Sequence, residues 1–171
     1  MLEGKNVRLR VMEGDDLKIA AEWNNDPDFF GKYNPLEQAS QTEFEKRFEN
    51  FTADKGAFMI EKKDGTKIGF AGYYTTSEKL FEIGFALVPN ERDKGHCTEA
   101  AEIIVDYLFL SKDIIRVQAT QRRGMQLLRE FWRRQVSRRR GQFASPISSE
   151  ENGETLFSTS YLERSGVDRK Y

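Results

Sequence analysis

A chain of 171 residues, 38% hydrophobic and 12% aromatic, is long enough for one domain with a sizeable core and too apolar for general disorder. Its one cysteine, Cys97, excludes an internal disulfide and fits a reducing compartment, and no apolar run approaches membrane-spanning length. The net charge of −1 splits unevenly: residues 1–120 hold 16 Lys and Arg against 22 Asp and Glu (−6), whereas residues 121–171 hold 11 against 6 (+5), a break that marks a boundary or a tail.

The opening MLEGKNVRLRV does not read as a secretory signal, so a cytoplasmic protein without a membrane partner is expected. Asn6–Val11 alternates apolar and polar residues and reads as a strand. GDDLKIAAEWNND follows, with Leu17, Ile19, Ala20 and Trp23 at near-helical spacing and acids where a helix dipole favours them. Ser40 with Glu43 forms a capping-box pattern that opens a second helix through Phe44, Phe48 and Phe51. AFMIEK and KIGFAGYY are strand-like and are joined by KDGT, in which Asp64-Gly65 is a hairpin signal. Leu80–Val88, LFEIGFALV, is nearly continuous in apolar residues and reads as a central strand buried on both faces. Pro89 ends it. After the loop NERDKGHC, Thr98 is expected to cap a helix with Ala101, Ile104, Val105, Leu108 and Phe109 along one side. IIRVQAT is a further strand, giving the order β-α-α-β-β-β-α-β.

A buried strand that enters a short basic loop, which opens directly into a helix, is a site for an anion, because free N–H groups and the positive helix end face the loop. Gly95 lets the backbone approach a phosphate, and Arg92 and Lys94 add charge. The same residues would also serve an ordinary corner with solvated bases.

Arg92-Asp93-Lys94-Gly95-His96-Cys97 resembles the acetyl-CoA pyrophosphate loop of the GNAT N-acetyltransferase superfamily, Q/R-x-x-G-x-G/A. IGFALVPNERDKGHCTEAAEIIVDYLF, with the opening LEGKNVRLRVMEGDD, resembles the branch containing the ribosomal-protein N-terminal acetyltransferases RimJ and RimL, over roughly residues 2–120. Cys97 departs from the pattern, which has Gly or Ala there. The resemblance implies an α/β (α+β) fold with a mixed, mostly antiparallel sheet flanked by helices. It implies acetyl-CoA as co-substrate and an amine acceptor, a protein N-terminus or a small amine, as partner; a homodimer is compatible with it, and no metal is called for. Phe85, Ala86, Leu87 and Val88 would lend backbone groups to the pantetheine arm, and the N–H groups of Lys94, Gly95, His96, Cys97 and Thr98 would hold the pyrophosphate. Such enzymes pass the acetyl group directly to the amine, so the protein supplies positioning, an oxyanion donor and a base. Glu82 is the candidate base, acting directly or through water; its alternative role is to hydrogen-bond backbone near a splay between strands. His96 is expected to point outward from its loop. A helix N-terminus would lower the Cys97 pKa, but direct transfer needs no nucleophile.

The family's next helix reads close to D-x-R-N-x-A-S-x-R-V-L-E-K-x-G-F, with G-E-W-x-D later, and neither appears after Thr120. LREFWRRQVSRRRG stands there instead, with six arginines in fourteen residues. Reading each codon's last base with the first two of the next makes V-L-E-K-A-G-F available around Phe131 and Trp132. That junction forces leucine, and G-E-W-R-D becomes available from Glu150 to Thr155. Lys and Glu codons shifted by one base also become arginine. Residues 121–171 are therefore expected to be an out-of-frame, poorly ordered tail that begins near Gln121 and leaves the activity of the chain in doubt. The alternative is a CoA-binding remnant without catalysis, whose basic helix (Met125, Leu128, Trp132) contacts nucleic acid. Agreement between local and global signals favours the frameshift over a nucleic-acid partner.

Overall fold

The computed structural model describes residues 2–30, 38–49, 55–77, 79–112, 114, 116–119, 147–151 and 154–158. Strand β1 (Leu2–Glu3) turns into β2 (Val7–Val11), where Val7 and Leu9 are buried and alternate with two arginines. One 3₁₀ turn, Gly14–Asp16, leads into α1 (Leu17–Asn24), and the short α2 (Pro27–Phe30) follows. Glu13 and Asp16 form a capping box in front of α1. Helix α3 (Gln41–Glu49) carries the expected second box: the Ser40 N–H donates to Glu43 Oε2 (2.8 Å), and the Glu43 N–H donates to Ser40 Oγ (3.3 Å). Phe51, read as the end of that helix, lies outside the described residues.

Strands β3 (Lys55–Lys62) and β4 (Lys67–Ser77) meet at the Asp64-Gly65 turn, where Gly65 adopts φ 88° and the Thr66 N–H donates to Asp64 Oδ1 (2.9 Å). Strand β5 (Leu80–Leu87), a 3₁₀ turn at Pro89–Glu91, helix α4 (His96–Ser111) and strand β6 (Arg116–Gln118) follow. The sheet runs β1-β2-β3-β4-β5-β6, antiparallel except for the parallel pair β5–β6. The mixed, mostly antiparallel sheet with flanking helices is the expected fold class. Strands β7 (Ile147–Glu151) and β8 (Glu154–Ser158) pair with each other in a ladder of their own, from Ile147↔Ser158 to Glu151↔Glu154. The basic segment read as a possible amphipathic helix lies outside the described residues.

Each sheet face has its own core. Val7, Leu9, Phe58, Ile60, Phe81, Ile83 and Leu87 pack with Ala100, Ala101, Ile104, Val105 and Leu108 of α4. Met59 packs with Met12, Leu17 and Ala20, joined by Trp23, Phe44, Phe48 and Phe70, so α1 and α3 belong to the opposite face. Strand β5 corrects the sequence reading. It alternates rather than being buried on both faces: Phe81, Ile83 and Leu87 are buried, while Glu82 and Ala86 are half-buried and Gly84 is exposed. The uninterrupted apolar run arose because the open face carries small residues, Gly84 and Ala86, which any hydropathy pattern counts as compatible with burial.

Candidate active site

The ladder between β5 and β6 holds three register pairs, Leu80↔Arg116, Phe81↔Val117 and Glu82↔Gln118. Strand β5 continues five residues beyond the last pair. On the β4 side, the Val88 N–H donates to Ile68 O (2.9 Å), and the register places Ala86, Gly84 and Glu82 in the same phase. Antiparallel pairing then turns the backbone groups of Phe85 and Leu87 away from β4, toward the edge that β6 has left. The Leu87 carbonyl accepts from Arg92 Nε (3.1 Å), and the Val88 carbonyl accepts from the Glu91 N–H (3.0 Å). Of the four residues read as a backbone ladder for an extended ligand, Phe85 and Leu87 face the open edge. Ala86 and the Val88 N–H are directed at β4.

The loop at the end of that edge is built from unusual backbone. Asp93 (φ 59°) and Gly95 (φ 83°) both lie in the left-handed region. Gly95 is the N-cap of α4, and no side chain caps the helix. Thr98, read as the cap, is instead the third residue of the helix. The Glu99 N–H is the first to find an intrahelical acceptor, Gly95 O (3.1 Å). The N–H groups of His96, Cys97 and Thr98 are therefore the free donors of the first turn, carrying the positive end of a 16-residue helix. A Cβ on Gly95 would meet nothing within 4 Å, so the space above the loop is open.

Glu82 sits on the face of β5 opposite α4. Its carboxylate accepts from Gln118 Nε2 (2.9 Å) and from the hydroxyl of Tyr74, the residue paired with it on β4. Burial, and then the charge and hydrogen bond of Glu82, push the Tyr74 hydroxyl up to about 12, so it stays protonated and donates to the carboxylate. Between this group and the loop, the floor is Gly72 and Gly84, paired across β4 and β5.

The acetyltransferase (GNAT) domain family model matches residues 6–124. The chain belongs to the GNAT acetyltransferase family. Among curated proteins it is similar to the uncharacterised N-acetyltransferase YnaD of Bacillus subtilis (strain 168), 31% identical over 120 residues, 68% of this chain and 69% of that protein. Among solved structures, a GNAT-family acetyltransferase from Bacillus anthracis superposes with a TM-score of 0.67 at 20% identity, covering 94% of this chain and 95% of that one. The spermidine N-acetyltransferase of Vibrio cholerae, solved with CoA and spermine, gives 0.73 at 15% identity, covering 93% and 96%. RimL, a ribosomal L7/L12 alpha-N-protein acetyltransferase solved with CoA, gives 0.70 at 14%, covering 94% of each chain.

Acetyl-CoA is accordingly the co-substrate of this GNAT chain, an acyltransferase by family. Its loop holds its own cations in an unexpected way. Arg92 reaches back to Leu87 O and, through Nη2, donates to Asp28 O and Phe29 O (both 2.6 Å). Lys94 pairs with Glu91 Oε2 (3.0 Å), and Lys62 lies 3.4 Å from Glu91 Oε1. Backbone donors rather than these side chains face the space above the loop. His96 does not point outward. Its side chain is 12% exposed, with Nδ1 buried 3.5 Å from Glu91 Oε2, a contact without hydrogen-bond geometry. Burial pushes the Cys97 thiol up to about 12, against the pull of Arg92, so desolvation outweighs the helix end and the group is a neutral thiol. Among the described residues no cluster of His, Cys, Asp and Glu could hold a metal ion, and no helix is long and apolar enough to cross a membrane. Sequence reasoning missed Tyr74 and Gln118; counting back from the short β4–β5 turn sets Thr75 opposite Glu82, and only the register shift between Thr75 and Ser77 brings Tyr74 there.

Proposed function

We propose that the chain transfers acetyl from acetyl-CoA to a primary amine, a protein N-terminus or a small amine, in the manner of the RimJ/RimL-like branch. The observation that carries this reading is the uncapped start of α4, three free N–H groups behind a left-handed glycine, at the end of a strand edge with outward-facing backbone groups. The pyrophosphate lies over Arg92–Cys97, and the pantetheine arm follows Phe85 and Leu87. The amine nitrogen attacks the thioester carbonyl, the C–N bond forms, and the C–S bond breaks with CoA leaving as thiolate. Glu82 takes the ammonium proton, directly or through water, while Tyr74 and Gln118 fix the carboxylate. The single cysteine and the co-substrate fit the cytoplasm.

Two variants test the assignment. Gly95→Val puts a β-branched residue at φ 83° and a side chain where the phosphate approaches. CoA affinity measured by calorimetry should fall beyond detection, while the circular dichroism spectrum stays that of the parent. Glu82→Gln should keep CoA affinity and lower kcat most at low pH, where the amine carries its proton. Unchanged CoA affinity in Gly95→Val overturns the loop assignment, and an unchanged pH–rate profile in Glu82→Gln removes Glu82 as base.

The reading extends to residues 121–171 as an out-of-frame segment. The family match ends at residue 124, close to the break in composition. The nucleotide sequence around the Thr120 codon tests it: a single-base restoration that yields the family's helix supports it, and an uninterrupted frame across related genes overturns it.

A further inference from the structure

We propose that Arg92 is a positioning residue that couples occupancy of the acetyl-CoA loop to helix α2, which packs on the sheet face that carries Glu82. The coupling rests on the reading of Arg92–Cys97 as the pyrophosphate loop. One guanidinium ties three places together. Nε caps Leu87 O at the end of β5, and Nη2 holds Asp28 O and Phe29 O of α2. Helix α2 is a single turn, so its last carbonyls have no partner within the helix. A cation at that end satisfies them and complements their dipoles. Phe29 fixes where the turn sits: it is 1% exposed, stacks on Trp23 at 5.4 Å and lies 5.1 Å from the Phe70 ring. Phe70 pairs with Ala86 on the face that carries Gly84 and Glu82. The held carbonyls therefore belong to an element packed on that face, while the residue holding them begins the loop for the cofactor. A phosphate that fixes the loop backbone fixes Arg92 and, with it, α2.

Three acceptors at these distances need a planar fork. Lysine keeps the charge but presents one ammonium, and cannot bridge Leu87 O and the α2 carbonyls together. The probe is CoA, and the readout is amide hydrogen exchange at Asp28 and Phe29, whose N–H groups donate to Asp26 Oδ1 and Asp26 O. Saturating CoA should slow these two amides by about tenfold in the parent chain. In Arg92→Lys they should exchange faster without ligand and show no further change with saturating CoA. Arg92→Gln is the second variant, and the amides of Ile104 and Val105 report whether either variant is folded. Equal CoA protection of Asp28 and Phe29 in parent and folded variants overturns the coupling, as does CoA binding to the parent with no change at these amides. A loss of CoA affinity greater than about tenfold in folded Arg92→Lys reassigns Arg92 as a phosphate ligand. A blank CoA titration of the parent overturns the functional reading itself and is distinct from these outcomes.

Discussion

At Cys97 two effects compete for one sulfur. The helix terminus and Arg92 favour the thiolate, and burial against the α4 core opposes it. Burial wins because most of the thiolate's hydration is lost at this partly buried position, whereas the helix end supplies only a fraction of a charge. The thiol titrates at about 12, above its ordinary 9.0, so it stays protonated at every pH an enzyme of this class meets. Iodoacetamide labelling followed by mass spectrometry should therefore modify Cys97 at least tenfold more slowly at pH 8 than a denatured control, as expected for a thiolate population reduced by about that much per unit of pKa. Rapid labelling in the folded chain would show that burial is incomplete. Cys97→Ala should leave CoA affinity unchanged, since the backbone N–H, and not the sulfur, faces the loop.

Between elements, charged groups do what apolar packing does elsewhere. Asp16, at the foot of α1 and 1% exposed, accepts from both Nη atoms of Arg10 on β2 (2.9 and 2.8 Å) and lies 2.6 Å from Lys67 Nζ on β4. Arg8 and Arg10 also hold Glu61 of β3, at 2.8 and 3.0 Å. Burial alone would raise the Asp16 carboxyl, but Arg10 and Lys67 outweigh it and hold the group well below its ordinary value. The folded value lies below the unfolded one, so this stabilisation is fully present above the ordinary 3.8 and is lost as pH falls toward the folded value. Asp16→Asn should cost about 3 kcal/mol at pH 7, the low end for breaking a buried pair because the cationic partners are partly solvated. Urea melts of parent and variant should converge in acid, and a pH-independent difference would contradict the network. Most elements here were legible in sequence because each had a local cause: the Ser40–Glu43 box, the Asp64-Gly65 turn, the alternation of Asn6–Val11. What escaped the sequence was set by distant partners. Glu99, in the first turn of α4, accepts from the Asn6 N–H (2.7 Å) and Asn6 Nδ2 (2.9 Å), 93 residues away. The true start of α4 was hidden because Gly95 caps by conformation rather than by a side chain, and Thr98 offered a more conventional cap. The loop itself was readable from Gly95 and the strand before it, whereas the engagement of Arg92 with Asp28 and Phe29 depends on where α2 packs, which no local pattern specifies.

Across the whole molecule, the proposed co-substrate loop and the segment proposed to be out of frame lie on either side of residue 120. If the tail is out of frame, restoring the frame should raise turnover toward a primary amine from near zero to a measurable rate, while CoA affinity changes little, because Phe85, Leu87 and the loop lie before the break. Steady-state kinetics with calorimetry on the two chains separates these quantities. Equal turnover would mean that residues 121–171 already form a working acceptor side. The order of the sheet bears on how such a chain comes into being. Neighbouring strands from β1 to β5 are also consecutive in sequence, and only β6 requires a crossover. A chain leaving the ribosome therefore lays each strand from β2 to β5 beside one already made. All six strands of that sheet and α4 precede residue 120, so an altered 3′ end leaves every residue of that sheet and its covering helix unchanged.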